Sequence, residues 1–207
     1  LVLPSRWLPT LLLGLTGVAL LFCPLAAGYL DASAHDRIVY WGLANWTFKT
    51  HPTFGIGYGM FWQVAEDAVA HNAFVSCYTE VGFFGYWFWF GLIILSVLGV
   101  WRVRIAFAKP ANEEEEWLKR FSGLCIASMG GYCASAYFLS RSFIYPFFFL
   151  FGIQGALIIL GQRLLPEGSR PLNASGQNAF VTVTIGATLS IAYIYYSILL
   201  LNKAFGG

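Results

Sequence analysis

The chain has 207 residues, of which 58% are hydrophobic and only 11% are charged, and its formal net charge is +2. A water-soluble domain usually carries about 25% charged residues, so this composition excludes an ordinary soluble protein. The near-neutral charge gives no indication of a nucleic-acid partner. We therefore expect a membrane protein.

Five stretches of the chain contain no Asp, Glu, Lys or Arg and are long enough to cross a bilayer. A helix needs about 20 mainly apolar residues to span about 30 Å of hydrocarbon. The strands of a membrane barrel would instead alternate in polarity over about 10 residues, and no such alternation is present. The sequence predicts an all-α polytopic fold in a single membrane domain, 1–207. Its five transmembrane helices are expected at about 7–29, 71–100, 121–139, 143–162 and 179–201.

The chain does not begin with Met, and no signal-peptide cleavage pattern precedes its first predicted helix. We therefore interpret the sequence as a fragment of a larger membrane protein. Additional N-terminal helices are expected to complete that protein.

Lys and Arg residues are unevenly divided between the two sides that alternating helices define. Cytoplasmic loops are enriched in Lys and Arg, so the side with the larger group should be cytoplasmic. The long loop 31–70, the turn at Arg141 and the C-terminus are then expected to face the periplasm. The larger group is Arg6, Arg102, Arg104, Lys109, Lys119, Arg120, Arg163 and Arg170, and the smaller group is Arg37, Lys49, Arg141 and Lys203.

All three histidines of the chain, His35, His51 and His71, lie in or at the end of the predicted loop 31–70. Their spacing matches no compact metal-binding signature, so we predict neither a metal nor a cofactor. Aromatic residues are also concentrated here, which indicates either an interfacial aromatic belt or a surface for sugar or lipid. The aromatic residues are Tyr40, Trp41, Trp46, Phe48, Phe54, Tyr58, Phe61 and Trp62.

The segment HPTFGIGYGMF, residues 51–61, is rich in glycine. It follows no predicted strand and lacks the last glycine of a dinucleotide-binding fingerprint. Two interpretations stay open. The segment is either a turn that brings backbone N–H groups near an anion, or a plain re-entrant or surface turn.

The predicted helix 71–100 carries His71 at its outer end. Gly82 and Gly85 lie within about 40° of the same helical stripe, and Tyr78 shares that face. Small residues permit close helix contacts in lipid. We expect the two glycines to pack this helix against a neighbouring helix and thereby fix His71.

The stretch RIVYWGLANWTFKTHPTFGIGYGMFWQVAEDAVAHNAFVSCYTEVGFFG resembles the signature region of the O-antigen ligase and O-antigen polymerase superfamily. That region combines an Arg followed by an aromatic residue, a glycine-rich turn, a His-Asn pair and a Gly-x-x-Gly motif. The resemblance covers about 7–100, and 101–207 fit as closing helices. The matching positions are Arg37, Trp41, His51, Pro52, Gly55, Gly57, Phe61, His71, Asn72, Gly82 and Gly85.

The resemblance implies part of a GT-C-type glycosyltransferase in the bacterial inner (cytoplasmic) membrane, with its active face in the periplasm. Such enzymes build O-antigen, lipopolysaccharide and other cell-envelope polysaccharides. They transfer a glycan from an undecaprenyl-pyrophosphate carrier to a hydroxyl of a lipid- or glycan-linked acceptor. The family requires no nucleotide sugar, no cofactor and no metal.

The resemblance and the chemistry of the residues together give the candidate site. His71 is the expected general base, because imidazole titrates near neutral pH, and the alternative is that it only caps its helix. Arg37 is the expected catalytic contact to the pyrophosphate, because a guanidinium can form bidentate contacts. The candidate substrate-binding residues are Arg141, which lies in the other outer turn, together with Asn72, Tyr78 and Trp41.

Other functions stay open at this point. A non-catalytic polysaccharide or lipid transporter, or a membrane scaffold, is the main alternative. A transporter is expected to place charged or broken-helix elements near the middle of the membrane, whereas the predicted spans carry almost no charge at their centres. Ligase, polymerase and protein O-oligosaccharyltransferase activities differ in their acceptors, and the sequence does not separate them.

Overall fold

The computed structural model describes the backbone of residues 32–140 and 142–205 and the side chains of 35–140 and 142–204. The predicted helix 7–29 and the candidate residue Arg141 lie outside the described residues. Within the described ranges the chain is helical and has no strands, so the all-α prediction is confirmed there. The helices are α1 (Ala32–Thr50), α2 (Phe61–Val64), α3 (Ala73–Ala106), α4 (Glu113–Ala136), α5 (Tyr145–Leu164) and α6 (Gly176–Phe205).

Three helices of the described chain, α3, α5 and α6, are long and apolar enough to span a membrane. They correspond to the predicted spans 71–100, 143–162 and 179–201. Helix α4 corresponds to the predicted span 121–139 but is not one of the three. Helix α4 begins at Glu113, eight residues before the predicted span, because Asn112 caps it there. The Asn112 side chain accepts a hydrogen bond from the Glu115 N–H at 2.9 Å. The four first-turn glutamates of α4 then complement the helix dipole.

The prediction of a continuous loop over 31–70 is wrong in its first half, because Ala32–Thr50 is helix α1. The residues that this helix buries recur mostly at intervals of three to four, and they are Ile38, Trp41, Ala44, Asn45 and Thr47. This interval is that of one helical face. Charged residues near both ends of the segment concealed the pattern when charge-free length was the criterion.

Helix α3 is central, since it packs against α1, α4, α5 and α6. Helix α1 runs antiparallel to the C-terminal half of α6. The Asn45 side-chain amide donates to the Tyr195 carbonyl at 2.9 Å, and the Asn202 amide donates to the Ile38 carbonyl at 2.9 Å. Helix α1 therefore lies at the end of the bundle where α3 begins and α6 ends.

Helix α3 is interrupted at Gly82, which has a φ of 66° and a ψ of −171°. The glycine-rich segment replaces the helical hydrogen bonds lost at this break. The N–H groups of Ile56 and Gly57 donate to the carbonyls of Thr79 and Glu80. The N–H groups of Phe83 and Phe84 donate to the carbonyls of Pro52 and Thr53, and all four distances are 2.8–3.2 Å. The segment is thus a turn docked into a broken helix, which satisfies backbone groups that lipid could not satisfy.

The expected role of the α3 glycines is therefore corrected. Gly82 makes its close approach to the backbone of Thr53 and Gly55 in the docked turn, not to a neighbouring helix. Gly85 faces Val81 of its own helix. Because the break at Gly82 rotates the two halves of α3, a continuous stripe from His71 to Gly85 does not exist.

Candidate functional site

The N-terminus of α3 is capped by Asn72. The Asn72 Oδ1 accepts hydrogen bonds from the N–H groups of Phe74 at 3.0 Å and Val75 at 3.1 Å, and its side chain is completely buried. His71 precedes the cap, has an exposed side chain and adopts a left-handed φ of 50°. The alternative that His71 itself caps the helix is wrong, because Asn72 provides the cap.

Trp41 holds the backbone directly before His71. Its indole Nε1 donates to the Ala70 carbonyl at 2.6 Å, and its ring is buried at 4% exposure. Trp41 therefore lies on the inner side of the His71 segment and holds its backbone in place. Its ring is too buried to stack against a sugar.

The turn between α4 and α5 packs against the same segment. Ser142 donates from its hydroxyl to the Ala73 carbonyl at 2.7 Å. Its own carbonyl accepts from the Trp89 indole at 2.8 Å and from the Tyr132 hydroxyl at 3.3 Å. The residue that follows Arg141 in the sequence is therefore tied to the first residue of α3.

Three buried polar atoms at this end of the bundle have no hydrogen-bond partner among the described residues. They are Arg37 Nε, Asn72 Nδ2 and Ser140 Oγ. Buried polar groups in native proteins are almost always paired, so each such atom requires an explanation. Two of the three are N–H donors, which is the type of group that a phosphate or a sugar oxygen accepts from.

Contacts around Trp41 bring together the three segments that carry these atoms. Arg37 lies one helical turn before Trp41 on the same face of α1, and Trp41 bonds to Ala70 at the start of α3. The Trp41 ring also packs edge-on against Tyr137, which ends α4, with ring centroids 6.0 Å apart. The α1 face, the α3 N-terminus and the α4–α5 turn therefore meet around Trp41. No hydrogen bond between described residues joins Arg37 directly to His71.

Tyr78 lies in the core of this end of the bundle. Its hydroxyl donates to Asn45 Oδ1 at 2.6 Å, while the Asn45 amide donates to Tyr195. The Tyr78 side chain is completely buried and its ring packs edge-on against Phe48. Tyr78 thus links α1, α3 and α6 and lies away from the protein surface, so the structure gives it a structural position.

Glu80 is the acidic side chain nearest to the break in α3. It is half-buried, and its carboxylate accepts from the Phe61 N–H at 3.3 Å. Glu80 therefore secures the end of the glycine-rich turn and does not pair with His71. No group of three His, Cys, Asp or Glu side chains within the described ranges is arranged to hold a metal ion.

The aromatic residues of the 40–62 region divide into two sets. Trp41 and Phe61 are buried in the core, and Tyr40 and Phe48 are half-buried beside it. The exposed set is Trp46, Phe54, Tyr58 and Trp62. This exposed set has the composition of an interfacial aromatic belt and of a sugar-binding surface.

Sequence reasoning missed three residues of this region. Asn45 lies four residues after Trp41, so its helical spacing would have shown it if the segment had been predicted as a helix. Ser140 and Ser142 flank Arg141, but two serines in a short turn carry no sequence signal of their own.

Comparisons of the chain with protein families, with curated proteins and with solved structures gave no match.

Proposed function

We propose that this chain is part of a metal-independent glycosyltransferase of the bacterial inner membrane, acting at the periplasmic face. The enzyme transfers a glycan from an undecaprenyl-pyrophosphate carrier to a hydroxyl of a lipid- or glycan-linked acceptor. The motif resemblance of 37–85 motivates this proposal. The observation that carries it is that Trp41 and Ser142 join the segments of Arg37 and Ser140 to the backbone on either side of His71-Asn72, and that these segments hold three buried polar atoms without partners among the described residues.

The chemistry is a single displacement. The acceptor hydroxyl oxygen attacks the anomeric carbon, and the bond from that carbon to the carrier's pyrophosphate oxygen breaks. His71 takes the hydroxyl proton, and Arg37 stabilises the negative charge that develops on the pyrophosphate leaving group. Asn72 Nδ2 is an unpartnered donor in a completely buried side chain, so its assignment to a sugar hydroxyl requires the exposed His71 segment to move aside when the substrate binds, while Oδ1 keeps the helix cap.

The positions of the remaining candidates refine the proposal. Trp41 and Tyr78 act as positioning residues, since both are buried and hydrogen-bonded within the protein. Arg141 stays a proposed second contact to the pyrophosphate, supported by the attachment of its neighbour Ser142 to Ala73.

The glycan products of the host cell test this function. We expect cells that lack the gene to lose one class of glycan linkage, and we expect the wild-type gene to restore it while the Arg37→Ala and Arg37→Lys variants do not. The control is Lys49→Ala, which removes an exposed cation from the same helix. Restoration by Arg37→Ala at equal protein level would remove Arg37 from the mechanism. The identity of the missing linkage also distinguishes ligase, polymerase and protein-transferase activities, because these activities use different acceptors.

A transporter of lipid-linked glycan is the second candidate, because the break of α3 at Gly82 is a feature of many transporters. Two observations weigh against it. The 24 residues after the break, 83–106, are long enough to span the membrane alone at about 1.5 Å per residue. In addition, the docked turn already occupies the backbone groups around the break. In liposomes, movement of the lipid-linked glycan from one leaflet to the other without cleavage of its glycan bond would favour the transporter.

A further inference from the structure

A cavity of about 750 Å³ lies at the end of the bundle opposite to His71. It is formed by the C-terminal turns of α3, the connection between α5 and α6, and the first turn of α6. Among the described residues, Arg102 and Arg170 are the charged residues that line it, and none of the described acidic residues does. Arg102 lies about 30 Å along α3 beyond the break at Gly82 at 1.5 Å per residue, and His71 lies on the other side of that break, so this cavity is separate from the His71 region.

The connection that forms the cavity is held in place by hydrogen bonds. Leu172 is buried, its N–H donates to Gln162 Oε1 at 2.8 Å, and its carbonyl accepts from Arg102 Nη1 at 3.3 Å. The cavity wall therefore has a fixed backbone, and Arg102 is oriented by it. Arg170 is exposed and adds the second positive charge.

The first turn of α6 adds uncharged donors to the two arginines. Ser175 and Asn178 line the cavity, and the first N–H groups of a helix have no partners within it. The first turn of α6 contains no acidic residue, so the positive end of the helix dipole is not neutralised there. Two guanidinium groups with a helix N-terminus form an environment that suits a phosphate group.

A second, smaller cavity of about 240 Å³ adjoins the first and shares Asn173 with it. Its walls include Ile158 and Ile159 of α5, together with Arg163, and Ile159 is 57% exposed. Helix α5 is one of the membrane-spanning helices. The apolar side of this second cavity therefore continues onto a surface that lipid chains contact.

We propose that the Arg102–Arg170 cavity binds a phosphate group. The adjoining Ile158 and Ile159 surface indicates that an anionic phospholipid supplies it, with its headgroup between the arginines and its chains along α5. Pockets with basic residues between membrane helices are known to hold anionic headgroups. This site goes beyond the proposed glycosyl transfer and does not depend on it.

Native mass spectrometry of the purified chain, in detergent containing equal amounts of dioleoyl phosphatidylglycerol and dioleoyl phosphatidylcholine, tests the site. We expect preferential retention of phosphatidylglycerol. Arg170→Ala should reduce that retention roughly fivefold, the effect of one basic contact to an anionic lipid. The matched control is Lys109→Ala, which removes an exposed cation at the same end but outside the cavity, and retention should not change.

Equal retention of the two lipids, or equal losses in the Arg170→Ala and Lys109→Ala variants, would overturn the lipid assignment. A separate arm measures the heat of binding of inorganic phosphate to the wild-type and Arg170→Ala proteins in lipid-free detergent. Phosphate binding that requires Arg170, without a preference for phosphatidylglycerol, would support the phosphate site and identify a soluble source. Absence of both kinds of Arg170-dependent binding would refute the site.

Discussion

The docking of the glycine-rich turn into the break of α3 predicts an unequal response of two glycines in the same turn. Gly55 and Gly59 have nearly equal left-handed φ angles of 70° and 71°. A Cβ added to Gly55 would overlap the backbone carbonyl of Glu80, whereas a Cβ added to Gly59 would meet nothing within 4 Å. Alanine at either position therefore carries the same cost for the left-handed backbone, and only alanine at Gly55 adds a steric clash with α3.

The expected magnitudes follow from these contacts. Replacing either glycine by alanine should cost about 1–2 kcal/mol for the left-handed backbone. Gly55→Ala must also displace the turn from α3 and weaken the hydrogen bonds from Ile56 and Gly57 to Thr79 and Glu80, each worth about 1 kcal/mol. Gly55→Ala should thus be less stable than Gly59→Ala by about 2 kcal/mol.

Thermal unfolding of both variants in the same detergent measures this difference. For a chain of this length, 1 kcal/mol corresponds to about 2–4 °C in Tm, so Gly55→Ala should unfold about 4–8 °C below Gly59→Ala. A third variant, Gly130→Ala, lies in α4 with open space around it and should be neutral or slightly stabilising. Equal Tm values for Gly55→Ala and Gly59→Ala would refute the docked turn.

Three further predictions concern the His71 region and the orientation. Trp41→Phe leaves the Ala70 carbonyl without its donor, so it should cost about 1–3 kcal/mol of unfolding free energy; an unchanged Tm would show that this bond does not hold the His71 segment. Asn72→Ser keeps a capping oxygen and removes the amide donor without burying a charge, so glycan transfer should fall much more than Tm does; full transfer would exclude the amide from ligand binding. The predicted topology places residue 49 in the periplasm and residue 115 in the cytoplasm. A membrane-impermeant thiol reagent added to intact cells should therefore label the Lys49→Cys variant and not the Glu115→Cys variant, and the opposite result would reverse the topology.

The apolar helices were predictable from the sequence because their length alone is diagnostic. The positions of α5 and α6 follow from charge-free stretches that exceed what a bilayer requires. Helix α1 was not predicted, because charged residues near both of its ends leave no charge-free stretch long enough to span a bilayer, and its apolar residues lie on exposed as well as buried faces.

The break at Gly82 could not be predicted from α3 itself. The stretch 81–101 contains no charged residue and resembles a continuous span, and the break is stabilised by hydrogen bonds with residues 23–31 positions earlier in the chain. Tyr78 illustrates the same limitation, because its partner Asn45 is 33 residues away. Periodicity identified the helix that carries His71, whereas the contacts that shape its surroundings are non-local.

The most direct test of the account is the rate of glycan transfer by the purified protein in liposomes that contain an undecaprenyl-pyrophosphate-linked donor and an acceptor. We measure released undecaprenyl pyrophosphate for the wild type, for His71→Gln and for the control His35→Gln, which alters another exposed histidine. A general base contributes about 10²–10⁴-fold, so His71→Gln should be slower by that factor while His35→Gln retains the wild-type rate. Release by His71→Gln at the wild-type rate would contradict the account.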